Sequence, residues 1–113
     1  MADDETGVDL HFAGRRIRAQ TADTFLQKLK GLRFADSGRM FFRFDSPTRT
    51  TVDTIFVRDV QYLYFFDGDR TLVEQAELTP NRFYRPSHSY RYLLETFEDL
   101  GVETGERLEI VDE

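Results

Sequence analysis

From Val8 to Phe12 apolar and polar residues alternate, the period of a strand with one buried face. Ala13-Gly14 then offers a turn and Arg15 to Ala19 a returning strand, with Gly14 supplying the positive φ of a tight hairpin. The period next lengthens. Phe25, Leu26, Leu29 and Leu32 fall on one face of a helix over Thr21 to Leu32, with Gln27, Lys28 and Lys30 on the other. Thr21 stands where an N-cap belongs, Asp23 in the first turn and Gly31 near the end. After the loop Asp36-Ser37-Gly38, Met40, Phe42 and Phe44 share one face of a strand that Asp45-Ser46-Pro47 ends. Thr51 to Val57 is β-branched and predicts a strand. Tyr62 to Phe66 is an aromatic strand, Asp67-Gly68-Asp69 a turn, and Thr71 to Ala76 its antiparallel partner.

Thr79 to Ser89, with Pro80 and Pro86, predicts irregular chain. Beyond it two periods compete. Tyr90, Leu93, Leu94, Phe97 and Leu100 make a helical stripe, whereas Tyr90, Tyr92 and Leu94 alternate as a strand. Arg107 to Val111 is a last strand after the Thr104-Gly105 turn.

At 113 residues the chain fits one domain, expected over residues 8–113 behind an acidic, disordered tail over 1–7. It has no cysteine, which excludes disulfides and thiolate metal sites. The acidic start lacks the basic and apolar regions of a secretory signal, and the apolar runs are too short to span a bilayer. A cytoplasmic location follows as the expectation, with no membrane partner. Net charge is −6, which disfavours nucleic acid and anionic lipid unless a local basic patch overrides the mean.

The ordered motifs Gly31-Leu32-Arg33-Phe34, Met40-Phe41-Phe42-Arg43-Phe44, Val52-Asp53-Thr54-Ile55-Phe56-Val57, Leu63-Tyr64-Phe65-Phe66-Asp67, Pro80, Tyr92-Leu93-Leu94-Glu95 and Gly101-Val102-Glu103-Thr104-Gly105 carry a resemblance. Together they resemble the family catalogued as domain of unknown function number 192, over about residues 20–111. Two segments depart from its pattern. Thr48-Arg49-Thr50-Thr51 stands where many members have Trp-Met-Lys-Asn-Thr, and Gln61-Tyr62 where they favour Leu-Asp. Roles of that tryptophan, lysine or aspartate do not carry over.

The resemblance implies a mainly β (α+β) fold: a compact antiparallel β-sandwich or barrel-like domain with one N-terminal helix. It also implies a strand through Glu95 and a short helical turn over Phe97 to Leu100. It implies no activity.

The densest chemistry lies in residues 82–92. Arg82, Tyr84, Arg85, His88, Tyr90 and Arg91 interleave cations with rings, a pattern that stacks bases or sugars and neutralises phosphates. The plainer account tucks Phe83 and Tyr90 into the core and pairs the arginines with surplus carboxylates. His88 lies between Ser87 and Ser89, which a strand points away from it, so no nucleophilic pair is expected. Asp67-Gly68-Asp69 lacks the oxygen ladder of a calcium loop, since Leu78 stands at its twelfth position, and two histidines make no zinc pattern.

Asp53 and Glu95 are the two candidate carboxylates. Each sits among apolar neighbours, where an acid is paired, hydrogen-bonded or protonated. Phe41-Phe42 and Phe65-Phe66 put rings on both faces of their strands, so both faces are covered or one marks a partner surface.

Three functions compete: a non-enzymatic domain binding a small ligand or protein partner, a carbohydrate hydrolase using Asp53 and Glu95, and a single-strand binder through residues 82–92. The first leads. No cofactor or metal is expected.

The cations are lopsided, with two lysines (Lys28, Lys30) against thirteen arginines. A salt-adapted proteome and a high-GC genome both produce this pattern. The salt-adapted reading predicts that the thermal unfolding midpoint rises between low and molar salt; a flat midpoint removes it.

Overall fold

A computed structural model describes residues 7–22 and 38–111. Among the described residues nine strands run in order: β1 (Gly7–Phe12), β2 (Arg15–Ala22), β3 (Arg39–Thr48), β4 (Val52–Asp53), β5 (Gln61–Phe66), β6 (Leu72–Leu78), β7 (Phe83–Tyr84), β8 (Tyr90–Thr96) and β9 (Glu109–Val111). Seven form one sheet in the order β6-β5-β8-β3-β2-β1-β9, and β4 pairs with β7 in a separate ribbon.

The hairpins are where turn chemistry placed them. Ala13 and Gly14 both take positive φ (60° and 71°), so the β1–β2 turn follows the strands' twist. The Asp67 carboxylate accepts the amides of Asp69 (2.9 Å) and Thr71 (3.0 Å), closing the β5–β6 hairpin.

The large sheet curls into a half-barrel. Phe12 on β1 meets Phe66 on β5 at 5.0 Å between ring centroids, although three strands separate them in the sheet. The two edges approach at an isolated bridge between Thr71 and Arg107, with Leu108 N donating to Arg70 O (2.9 Å) and Leu72 N to Glu106 O (2.8 Å). Inside the curl lies one core of Leu10, Phe12, Ile17, Phe41, Tyr64, Phe66, Leu94 and their neighbours. A second core on the opposite face holds Met40, Phe42, Val52, Leu63, Phe65, Tyr90 and Leu93. Phe41, Phe42, Phe65 and Phe66 are therefore all buried, two in each core. The β4–β7 ribbon lies over the second core, with Val52 belonging to it and Tyr84 packed against it.

The expected fold needs correction. Among the described residues every regular element is a strand, and the architecture is one curled sheet plus a ribbon, not an α+β sandwich. Nor is it wholly antiparallel: β2 and β3 pair in parallel through Gln20–Ala22 and Met40–Phe42. Thr21, the expected helix cap, ends β2 with Ala22; the rest of the expected N-terminal helix lies outside the described residues.

The helical turn over Phe97 to Leu100 is absent because side chains take its amides. The Thr96 hydroxyl accepts Glu98 N (3.0 Å), the Tyr64 hydroxyl accepts Leu100 N (2.8 Å), and the Asp99 carboxylate accepts Gly101 N (2.9 Å). Thr51 to Val57 is strand only at Val52–Asp53. Asp53 Oδ1 accepts Ile55 N (3.0 Å) and Thr54 O accepts Val57 N (3.1 Å), so a turn replaces the ladder. β3 runs past Asp45 to Thr48, with its register against β8 shifting between Arg43 and Thr48.

Tyr64 is the internal anchor of the 97–100 segment. Tyr64→Phe strands the buried Leu100 amide and is expected to cost about 1–3 kcal/mol, read from urea denaturation, with β-sheet circular dichroism unchanged.

Candidate functional site

Residues 82–88 form a strap across β6, and its geometry is set from two ends. At the first, buried Thr54 is the pin. Its hydroxyl donates to Thr79 O (2.7 Å) and accepts Arg82 N (2.9 Å), while its amide donates to Arg82 O (2.9 Å). At the second, the carboxylate of Glu74 on β6 gathers four donors. These are the Tyr84 hydroxyl, Ser87 N (2.9 Å), His88 N (2.9 Å) and the His88 ring through Nδ1 (2.8 Å). Between the ends Pro86 is buried, and its carbonyl accepts Arg49 Nε (3.0 Å).

Burial alone would push the Glu74 carboxyl up. The hydrogen bonds from Tyr84, the His88 ring and the two amides outweigh it and hold the group down at about 2. Tyr84 is pushed up to about 12, by burial first and then by the Glu74 carboxylate it donates to.

Strand alternation decides which rings the strap shows. Tyr84 turns inward, stacked on Phe65 at 5.8 Å between centroids, so Phe83 turns outward and is 69% exposed. Phe56 is the other large exposed hydrophobic among the described residues, at 60%. It sits in the turn after β4 at φ 63°, a left-handed conformation costly for a bulky residue, and its amide donates to Asn81 Oδ1 (3.4 Å). Arg82 and Arg85 are exposed on either side of Phe83 and Tyr84.

The residues singled out from the sequence divide. Arg82, Tyr84, Arg85 and His88 come together on the strap. Tyr90 does not join them: it is buried, stacks edge-on against Phe65 (4.8 Å between centroids) and donates its hydroxyl to Thr50 O (2.8 Å). Burial, then the charge of Glu95, pushes its hydroxyl pKa up. Arg91 Nε donates to Phe44 O (3.0 Å), and its guanidinium lies 5.8 Å from the centre of the Tyr92 ring.

Asp53 and Glu95 stand on different sheets. Asp53 lies on the ribbon opposite Phe83, one oxygen committed to the Ile55 amide. Glu95 is buried in the middle of the large sheet, opposite Met40 on one side and Leu63 on the other.

Sequence reasoning missed Glu74 and Gln61. Glu74 lies on a strand of ordinary alternation and meets its partners only through tertiary folding. Gln61 is 1% exposed, and both polar atoms of its amide lack a hydrogen-bond partner among the described residues. Its place at the head of β5 held no signal beyond a polar residue opening an aromatic run. Among the described residues no three metal-ligating side chains cluster, and no helix is long and apolar enough to cross a membrane.

The curled sheet defines a known architecture. A protein of unknown function from Novosphingobium aromaticivorans superposes with a TM-score of 0.77, covering 91% of this chain and 83% of that one at 20% identity. A candidate transcription regulator from Sinorhizobium meliloti superposes at 0.78, covering 92% of each, also at 20% identity. At that identity the likeness concerns the fold alone. No family model matches the chain. In sequence it is 31% identical over 102 residues to a UPF0127 protein of Pyrococcus furiosus, covering 83% of this chain and 87% of that protein. A UPF0127 protein of Thermococcus sibiricus is 26% identical over 81% of this chain and 65% of its own length. The chain belongs to the UPF0127 family. The names of these relatives carry no activity, and the function of this chain is unknown.

Glu74 titrates from its ordinary 4.5 when unfolded to about 2 when folded. A depressed carboxyl stabilises the fold above the unfolded value, and that stability is lost as pH falls from 4.5 through 2. Glu74→Gln is expected to flatten this acid limb in equilibrium unfolding and to cost about 1–3 kcal/mol at neutral pH.

Proposed function

We propose that the protein is a non-enzymatic binding domain whose contact surface is the outer face of the β4–β7 ribbon and the strap that follows it. The observation that carries this reading is the outward display of Phe83 and Phe56 while the rings of β3 and β5 are buried. Apolar surface gathered in one place marks a partner site, and the turn that carries Phe56 is bonded to Asn81 at the end of the ribbon where Phe83 stands. Thr54 and Glu74 hold the frame, so little ordering is left to oppose association. Each Phe that a partner buries contributes about 1.5–3 kcal/mol.

A paired-acid hydrolase is less well supported. It requires two carboxylates facing one scissile bond, whereas Asp53 is bonded to its own turn and Glu95 lies within the sheet. The reading includes one domain over residues 8–113, a cytoplasmic setting, and the kinship with domain of unknown function number 192 that the ordered motifs imply.

The test is amide shift mapping by NMR in high salt against peptides, oligonucleotides, oligosaccharides and nucleotides. Binding is expected to shift Phe56 and residues 82–88, and Phe83→Ala to abolish the effect. Phe56→Gly should weaken binding while leaving stability within about 1 kcal/mol, because glycine takes the left-handed position without strain. A ligand that shifts the surroundings of Glu95 and leaves the ribbon untouched refutes the reading.

A further inference from the structure

The charges on the ribbon specify the partner. Four arginines are met by acids, Arg16 and Arg18 by Asp9 across the β1–β2 ladder and Arg15 and Arg39 by Glu98, while Arg49, Arg91 and Arg107 donate to backbone carbonyls. Arg82 and Arg85 have no carboxylate partner among the described residues, in a chain with 21 acids to 15 bases. Arg82 reaches only the carbonyl of Asn81 (3.4 Å). The acids closest in sequence to Phe56 are bonded to the backbone, Asp53 to Ile55 N and Asp59 to Val60 N (2.7 Å). Glu74 is turned beneath the strap, its side chain 11% exposed.

What the strap exposes is the Phe83 ring, next in sequence to Arg82 and two residues from Arg85, neither of which meets a carboxylate among the described residues, with Phe56 exposed in the turn after β4. Guanidinium forks bind carboxylates bidentately, and the rings need an apolar insert. Resting on the binding-domain reading, we infer that the occupant is an extended peptide segment of a protein partner, with carboxylates flanking an aromatic or aliphatic residue.

A single-stranded nucleic acid fits less well. Two arginines neutralise two phosphates, for a salt slope of only about −1.4 on a single strand, and the net charge of −6 repels a polyanion as a whole. A short peptide with few carboxylates meets that repulsion weakly and draws its energy from the two rings.

The decisive experiment pans a displayed library of random twelve-residue peptides on the intact chain. Phe83→Ala and the Arg82→Gln, Arg85→Gln double variant serve as counter-targets, with fluorescence anisotropy of a labelled dT12 oligonucleotide alongside. All substituted side chains are exposed, and circular dichroism confirms that each variant is folded. The expected result is enrichment of peptides with acids around an apolar residue. These should bind the double variant roughly tenfold more weakly, the equivalent of about 1.4 kcal/mol. Ribbon-dependent selection of neutral or basic peptides, or tighter binding of dT12 than of any peptide, overturns the acidic-peptide inference and leaves the binding domain standing. If neither peptides nor dT12 discriminate between wild type and the ribbon variants, the inference falls, and the binding-domain reading falls with it if shift mapping also leaves the ribbon unmoved.

Discussion

Adjacent phenylalanines on a strand cannot share one core, and the architecture follows from that constraint. Phe41-Phe42 on β3 and Phe65-Phe66 on β5 send rings to both faces of the sheet. The sheet can cover one face by curling on itself, which brings Phe12 against Phe66 and Tyr64. It cannot cover the other that way. The second face needs an added layer, and the β4–β7 ribbon contributes to it through Val52 and Tyr84. Two residues per strand are too few for such a ribbon to hold itself. Its position is fixed by polar contacts outside its own ladder, those of Thr54 and Glu74.

Those contacts hold the exposed surface in place on the sheet. Thr54 is fully buried and satisfies its hydroxyl and backbone on both arms of the ribbon. Glu74 spends its carboxylate on a phenol, an imidazole and two amides, so a charge with little water around it is offset several times over. Fixing Tyr84 inward by this bond leaves Phe83 no inward place. The outward ring is a consequence of the clamp.

Much of the sheet was legible in the sequence, and the misreadings share a cause. Ala13-Gly14 and Asp67-Gly68-Asp69 are local signals whose turn geometry acts over a few residues, and both hairpins form around them. The alternation of Tyr90, Tyr92 and Leu94 prevailed over a helical stripe because β8 is paired on both sides, by β3 and β5. The failures at Thr54 to Val57 and Phe97 to Leu100 arose where Asp53, Thr96, Asp99 and Tyr64 took amides that a strand or helix would have used. Propensity and periodicity do not register such competition. The Arg–Tyr segment was visible as composition. Its organising group was not, because Glu74 stands ten to fourteen residues from its partners, on another strand.

The two exposed rings are displayed by different means. Phe83 is outward because its neighbour is held inward, so its exposure is tied to the packing of Tyr84 on Phe65. Phe56 occupies a left-handed position that glycine or asparagine fills at lower cost. One ring is therefore a by-product of covering the sheet, and the other is an added cost borne at the same end of the ribbon. The two exposed rings thus reach the surface for different physical reasons, one set by the packing of Tyr84 and the other by the left-handed turn after β4.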